Sequence, residues 1–293
     1  MDELDPPNLL LGLIGAGIQA SRAPALHQQE AAAQGLRCIY KLIDIERLGL
    51  GTSALADLLT AAERVGFDGL NITHPCKQAV IPLLHELSPD ARALGAVNTV
   101  LLRDGVRIGH NTDWWGFAEN FRRGLPDAAL NRAVQFGAGG AGAAVAHAAL
   151  TLGVGQLAIT DVDSGRARDL VAGLCSRFGA NRAIVAEDIA REVKRADGVI
   201  NATPMGMTGY PGMPLAPQLL HPKLWVAEIV YFPLETALLR AARAAGCRTL
   251  DGGGMAVLQA VEAFRLFAGR EADSGRMLRH FAVMAASQPP GAV

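Results

Sequence analysis

Two glycine-rich loops in this 293-residue chain have spacings that let a backbone cradle a phosphate. The first, Gly15-Ala16-Gly17-Ile18-Gln19-Ala20, follows the apolar run 9–14 and fits G-x-G-x-x-A, with Asp44 ending the next run at a distance that suits a ribose-binding carboxylate. The second, Gly137-Ala138-Gly139-Gly140-Ala141-Gly142, follows the run 133–136. Dinucleotide binding needs a helix that opens at the glycines, so that its free N–H groups and dipole face a pyrophosphate. Residues 143–150 continue the second loop as unbroken helix formers. Ser21-Arg22-Ala23-Pro24 follows the first loop, and a helix with Pro24 in its first turn starts several residues too late. The second loop is therefore the better nucleotide site. Asp161 ends the next run, 157–160; it can accept from ribose hydroxyls and repels a 2′-phosphate, which favours NAD over NADP. Asp163 adds to that preference, while Arg166 and Arg168 would have to reach back from a helix to reverse it. The alternative is that Asp161 serves the turn alone.

Four polar clusters stand at the ends of apolar runs, where α/β sheets present ligand sites. They are Asn71-Ile72-Thr73-His74-Pro75-Cys76-Lys77, Ala96-Val97-Asn98-Thr99, His110-Asn111-Thr112-Asp113 and Asn201-Ala202-Thr203-Pro204-Met205-Gly206-Met207. Thr73 and Asp113 are also types that cap helices. Lys77 falls in a first helical turn, where the macrodipole disfavours a cation. By residue type alone it is as well read as a solvated surface lysine.

The elements behind these clusters are legible as an alternation. Apolar runs at 9–14, 38–45, 69–72, 133–136, 157–160, 198–200 and 224–230 are separated by amphipathic stretches such as 24–34, 53–65, 164–178 and 236–245. Strands alternating with helices predict an α/β protein with largely parallel sheets. Residues 97–102 and 106–110, joined through Arg103-Asp104-Gly105, predict a β-hairpin with an Asp-Gly turn. Residues 113–123 predict a connecting helix, followed by a loop at 124–131 that suggests a domain boundary. Asp251-Gly252-Gly253-Gly254 is expected to be a flexible hinge or a loop beside the nicotinamide.

Composition narrows the class of partner. Lys and Arg total 27 against 28 acids, which argues against a nucleic-acid partner. The four Cys lie far apart and the seven His show no metal-ligand spacing, so no disulfide framework or metal site is implied. Residues 1–7 are acidic where an export signal would be basic and apolar, and no apolar run approaches about 20 residues. These features predict a cytoplasmic protein without a membrane partner, acting on something small.

Taken together, seven motifs resemble the shikimate/quinate dehydrogenase family over nearly the whole chain. They are Asn71 to Lys77, Gly95-Ala96-Val97-Asn98-Thr99, Gly109 to Asp113, Gly137 to Gly142, Asn201 to Met207, Val230-Tyr231, and Gly254-Met255 through Gln259. The resemblance implies a Rossmann-type NAD-binding domain at 114–253, inserted into a mostly parallel α/β substrate domain of 1–113 completed by 254–293. It places the active site in the interdomain cleft and implies a monomer or homodimer that acts on a small hydroxy-carboxylate. Lys77 and Asp113 become the catalytic pair: hydride leaves a ring carbinol carbon for the nicotinamide while a neutral Lys77 takes the hydroxyl proton. The charge of Asp113 opposes that neutrality, so its role is to orient Lys77 and the substrate hydroxyls. Thr73, Asn98 and Gln259, with Asn71 nearby, would bind ring hydroxyls; Ser21 and Tyr231 would reach the carboxylate. Gly137, Ala138, Gly139, Gly140, Ala141, Asp161, Thr203, Pro204, Met205, Val230, Gly254 and Met255 would line the cofactor. Asp161-Val162-Asp163 stands where NADP-dependent biosynthetic members usually carry Asn-Arg-Thr, so the chain looks most like the NAD-dependent quinate/shikimate branch.

One position departs from the family pattern. Members usually present Ser-x-Ser/Thr-Pro around the substrate carboxylate, and here Ala23 replaces the second hydroxyl. A hydrogen bond to a charged group contributes roughly 1.5–3 kcal/mol, so its loss weakens capture of a carboxylate by about tenfold to a hundredfold. A water or Arg22 could substitute, and the sequence leaves both open. Ala23 also keeps open an aminoshikimate-type or other shikimate-like substrate, or a weakly active NAD-binding regulator. A folate dehydrogenase or another Rossmann reductase would have no use for Gln259 or the Thr73/Asn98 pair.

Overall fold

The computed structural model describes residues 8–286; the acidic stretch 1–7, with its bearing on export, lies outside the described residues. Packing divides the chain into two compact units, Met1–Thr112 with Val257–Val293, and Asp113–Ala256.

The first unit contains β1 (Asn8–Gly15), α1 (Ala23–Ala33), β2 (Arg37–Asp44), α2 (Leu55–Arg64), β3 (Gly69–Ile72), α3 (Cys76–Ala79), β4 (Glu86–Leu87), α4 (Pro89–Leu94), β5 (Thr99–Arg103) and β6 (Val106–His110). Its sheet runs β2-β1-β3-β5-β6-β4. β1 pairs in parallel with both β2 and β3, whereas β5 is antiparallel to β3 and β6. The antiparallel step is the hairpin turn, where Asp104 (φ 53°) and Gly105 (φ 76°) both take the left-handed conformation of a tight two-residue connection. β1 is covered on both faces, with Ile14 packing beside Leu59, Leu70 and Val100, and Leu11 and Leu13 packing beside Tyr40 and Phe267. A strand buried on two sides has no polar alternation to show, and β1 reads as a continuous apolar run.

The second unit contains α5 (Asp113–Gly124), β7 (Arg132–Phe136), α6 (Gly140–Thr151), β8 (Gln156–Thr160), α7 (Ser164–Phe178), β9 (Ala183–Val185), α8 (Ile189–Arg195), β10 (Gly198–Asn201), β11 (Trp225–Glu228), α9 (Ala237–Ala244) and β12 (Arg248–Leu250). All of its strands pair in parallel, in the order β12-β11-β10-β7-β8-β9. Counted from β7 this is the doubly wound order of a dinucleotide-binding sheet, with the direction of winding switching at β7. Asp163 caps α7 by accepting from the backbone of Gly165 at 2.9 Å, and Thr236 caps α9 by accepting from Leu239 at 3.3 Å.

The divide falls between Thr112 and Asp113, before α5. The reason is packing: Phe117 and Phe121 of α5 lie in one core with Val145 of α6 and Leu157 of β8. The run Asp251–Gly254, expected as a hinge or a loop beside the nicotinamide, is helical from its second residue: α10 (Gly252–Ala268) begins inside it and the Asp251 carboxylate accepts from the Gly253 N–H at 2.9 Å. A side chain on Gly254 would collide with Asn120, so this glycine serves close packing of α10 on α5. The chain ends its described part with α11 (Ser274–Ala286). Among the described residues no helix is long and apolar enough to cross a membrane.

Candidate active site

In the first unit, backbone ties gather the strand ends that carry the polar clusters. Thr73 donates to Ile14 at 2.9 Å, Ala16 to His74 at 2.9 Å, and Ile72 to Asn98 at 2.8 Å. Asn98 in turn donates to His110 at 3.0 Å, and Val97 to the carbonyl of Lys77 at 2.9 Å. Lys77, the second residue of α3, is thereby fixed at its backbone to the segment that carries Asn98. Ser21, Asn71, Thr73, Lys77, Asn98 and Gln259 all belong to this unit, while Asp113, Tyr231 and the expected cofactor residues belong to the other.

A chain of side-chain hydrogen bonds runs through the first unit's set. The Tyr40 hydroxyl donates to Asn71 Oδ1 at 2.7 Å. Asn71 Nδ2 donates to Asn98 O at 3.3 Å and to Thr99 Oγ1 at 3.1 Å, so both of its N–H groups are spent on protein. Thr99 Oγ1 donates to Asn98 Oδ1 at 3.0 Å; Asn98 Nδ2 donates to Thr112 Oγ1 at 3.0 Å, and that hydroxyl lies 3.4 Å from Gln259 Oε1. The chain sets the amide orientations of Asn98 and Gln259. Tyr40, Thr99 and Thr112 were not foreseen as participants. Thr112 sits inside the Gly109–Asp113 motif, so its signal was present; Tyr40 gave none, because only the β1–β2–β3 pairing brings it to Asn71.

At the end of β1, Ser21 Oγ accepts from the N–H of Ala23 at 3.3 Å, and Ala23 opens α1. The Arg22 guanidinium stacks 5.0 Å over the Phe281 ring of α11. To supply charge to a substrate carboxylate it has to leave that ring, at the cost of a cation–π contact.

The two glycine loops differ in what fills them. At the first, the Asp44 carboxylate accepts from the backbone of Gly17 at 3.1 Å and Ile18 at 3.2 Å, and from the Gln19 amide at 2.9 Å. The Gln19 amide and these N–H groups hold the Asp44 carboxyl below the usual carboxylate range. Donors that would meet a phosphate are already paired with an anion. At the second loop, α6 begins at Gly140 with Gly139 as its cap, so the first N–H groups have no carbonyl within the helix. A Cβ on Gly139 or Gly140 would meet only open space, whereas one on Gly137 (φ 101°) would collide with the Ala202 carbonyl. The Ala138 N–H donates to Asp161 Oδ2 at 2.7 Å, and Asp163 N–H to Asp161 Oδ1 at 2.9 Å. The donor set, the open surface and the nearby carboxylate fit a dinucleotide. The Gly137 N–H is spent on Thr160 O at 2.8 Å and that of Ala138 on Asp161, so of Gly137, Ala138, Gly139, Gly140 and Ala141 the last three would supply the pyrophosphate donors, and Asp161 would hold a ribose.

Beyond β10 and β11 the loops are tied by side chains. Asn201 Oδ1 accepts from the Thr203 hydroxyl at 2.7 Å, and Thr203 Oγ1 accepts from Met205 N–H at 3.1 Å. Pro204 and Met205 are exposed, Tyr231 is half exposed, and Val230 is buried. Met255 packs into the core with Phe117, so its side chain is spent on packing. Asp113 opens α5 and is buried.

Comparison with known proteins places this geometry in context. A family model for the shikimate dehydrogenase substrate binding domain matches residues 13–100. The chain is 60% identical over 278 residues to a Streptomyces avermitilis protein named shikimate dehydrogenase (NADP(+)), covering 94% of this chain and 96% of that protein. It is 50% identical over 277 residues to a Corynebacterium efficiens quinate/shikimate dehydrogenase (NAD(+)), covering 94% and 98%. The solved structure of quinate dehydrogenase from Corynebacterium glutamicum in complex with NAD matches with a TM-score of 0.90 at 48% identity, covering 94% of this chain and 99% of that one.

Proposed function

The chain belongs to the shikimate/quinate dehydrogenase family, and on that premise we propose that it interconverts a ring CH–OH of quinate, shikimate or a close analogue with its 3-dehydro ketone, using NAD in preference to NADP. The coarser activity, NAD(P)-dependent oxidoreduction, follows from the family. The cofactor choice does not, because similar relatives are named for NADP and for NAD.

Bound NAD(P) supplies the hydride acceptor. The chain's own residues do the rest. Lys77 takes the hydroxyl proton as the C–H bond breaks, and returns it in the reverse direction. Asp113 orients Lys77 and the reacting hydroxyl. Thr73, Asn98 and Gln259 bind ring hydroxyls; Asn71, with both N–H groups committed, acts by fixing Asn98 and Thr99. Ser21 and Tyr231 hold the carboxylate.

The observation that carries the NAD preference is the bond from Ala138 to Asp161, which keeps a negative charge against the glycine loop. A 2′-phosphate on the adenosine ribose would meet that charge and Asp163 beside it. Arg166 pairs with Asp163 at 3.4 Å and those two charges offset each other, which leaves the Asp161 charge to face the 2′-phosphate. Initial rates with quinate, shikimate and aminoshikimate, each with NAD and NADP, test the proposal. Turnover of at least one acid, faster with NAD, is the expected result. No turnover with any of them contradicts the activity, and faster rates with NADP contradict the reading of Asp161.

A further inference from the structure

Glu228, the last residue of β11, is only 2% exposed and its carboxylate accepts from three groups, Asn201, Val230 and Thr236. Asn201 Nδ2 lies 2.9 Å from one carboxylate oxygen and 3.0 Å from the other. The Val230 N–H donates to Oε1 and the Thr236 hydroxyl to Oε2, each at 3.0 Å. All of these donors are neutral. A buried carboxylate that meets no cation among the described residues is an expensive way to tie loops together, and burial pushes the Glu228 carboxyl above its usual range.

The ties converge on two loops. Asn201 ends β10, and besides meeting Glu228 it holds Met205 O at 2.9 Å and Thr203 N–H at 3.1 Å. Val230 and Thr236 bound the loop after β11. The loops are joined again where Thr208 N–H donates to Phe232 O at 3.3 Å. The sheet order fixes what lies there. β7, with the glycine loop at its end, is flanked by β8 on one side and by β10 and then β11 on the other. A dinucleotide with its pyrophosphate at α6 and its adenosine ribose on Asp161 covers the end of β8. Its other half then has to extend over the ends of β10 and β11.

We propose that Glu228 is a positioning residue for the nicotinamide half of the cofactor, locking the loops at 201–207 and 229–236 into the single arrangement that receives it. This rests on the reading that the second glycine loop binds NAD(P). Glu228 does not touch the cofactor; it acts through Asn201, Thr203 and Val230.

Titration calorimetry on the full chain separates this from a general structural role. Wild type and Glu228→Gln are titrated with NAD, NADP and the adenine-half fragments ADP and adenosine 2′,5′-bisphosphate. Glu228→Gln should weaken the preferred dinucleotide about tenfold, the worth of one hydrogen bond to a charged group, and leave its adenine-half fragment unchanged. Unchanged dinucleotide binding overturns the inference, and so does an equal loss of dinucleotide and fragment. If Glu228→Gln does not fold, Glu228→Asp, which keeps the charge and shortens the reach, should show the same split at about threefold; dinucleotide binding equal to wild type overturns the inference there. A wild type that binds neither dinucleotide overturns the nucleotide site itself, a distinct failure visible before any variant is compared.

Discussion

The backbone N–H of Ala138 donates to Asp161 Oδ2 at 2.7 Å, fastening the carboxylate that ends β8 to the glycine loop that ends β7. Asp44 bears a similar relation to the first glycine loop, accepting from Gly17 at 3.1 Å, but there it also takes Ile18 and Gln19 and fills the loop. One carboxylate flanks an open helix N-terminus; the other replaces the phosphate that such a terminus would bind.

Asp161→Asn keeps one side-chain oxygen for the Ala138 N–H, gives up the bond from the Asp163 N–H and removes the charge. The ratio of kcat/KM with NAD to that with NADP should fall by about tenfold, the scale of one charged hydrogen bond. An unchanged ratio would mean that the carboxylate serves the turn alone.

Lys77→Ala removes the proposed proton acceptor and leaves the nucleotide unit intact. Turnover should fall by about a hundredfold to ten-thousandfold, the usual worth of general acid–base catalysis, while NAD affinity measured by calorimetry stays the same. Equal loss of both would assign Lys77 to the structure.

Ala23→Ser restores a hydroxyl at the first residue of α1. KM for a carboxylate substrate should drop about tenfold with kcat unchanged, because a bond to the carboxylate is made equally in ground and transition states. A KM that does not move would show that water, or Arg22 drawn off Phe281, already fills the role.

His27 makes stability depend on pH. It is fully buried between Tyr40, Phe264 and Phe267, and among the described residues neither ring nitrogen has a hydrogen-bond partner. Burial pushes its imidazole down from 6.5 to about 3. The unfolded chain therefore binds a proton that the folded chain refuses, so this contribution is whole above pH 6.5 and is lost as pH falls towards 3. Urea unfolding at pH 7 and pH 5 should show His27→Leu losing about 2 kcal/mol less than wild type across that interval. Equal losses would mean that the folded state accommodates the imidazolium.

Much of the fold was legible because its signals are local. Residues 164–178 read as a helix and form α7 with Asp163 as cap, and Asp104-Gly105 read as a hairpin turn and form one. The run Asp251–Gly254 reads locally as a loop, whereas the start of α10 is tied over a long sequence separation, with Asn120 Nδ2 donating to Asp251 O at 3.1 Å. Glu228 was invisible for the same reason. At the end of an apolar strand it reads as a surface acid, and only the β10–β11 pairing sets Asn201 against it. The split of the site residues between two units was implied by the family resemblance and by no local pattern.

The ratio of kcat/KM for NAD and NADP, measured on the wild-type chain with quinate and with shikimate, decides between the two cofactors. Turnover of at least one acid and a ratio above one are expected. A ratio below one with clear turnover contradicts the role given to Asp161, and a chain that binds NAD but turns over neither acid contradicts the proposed reaction.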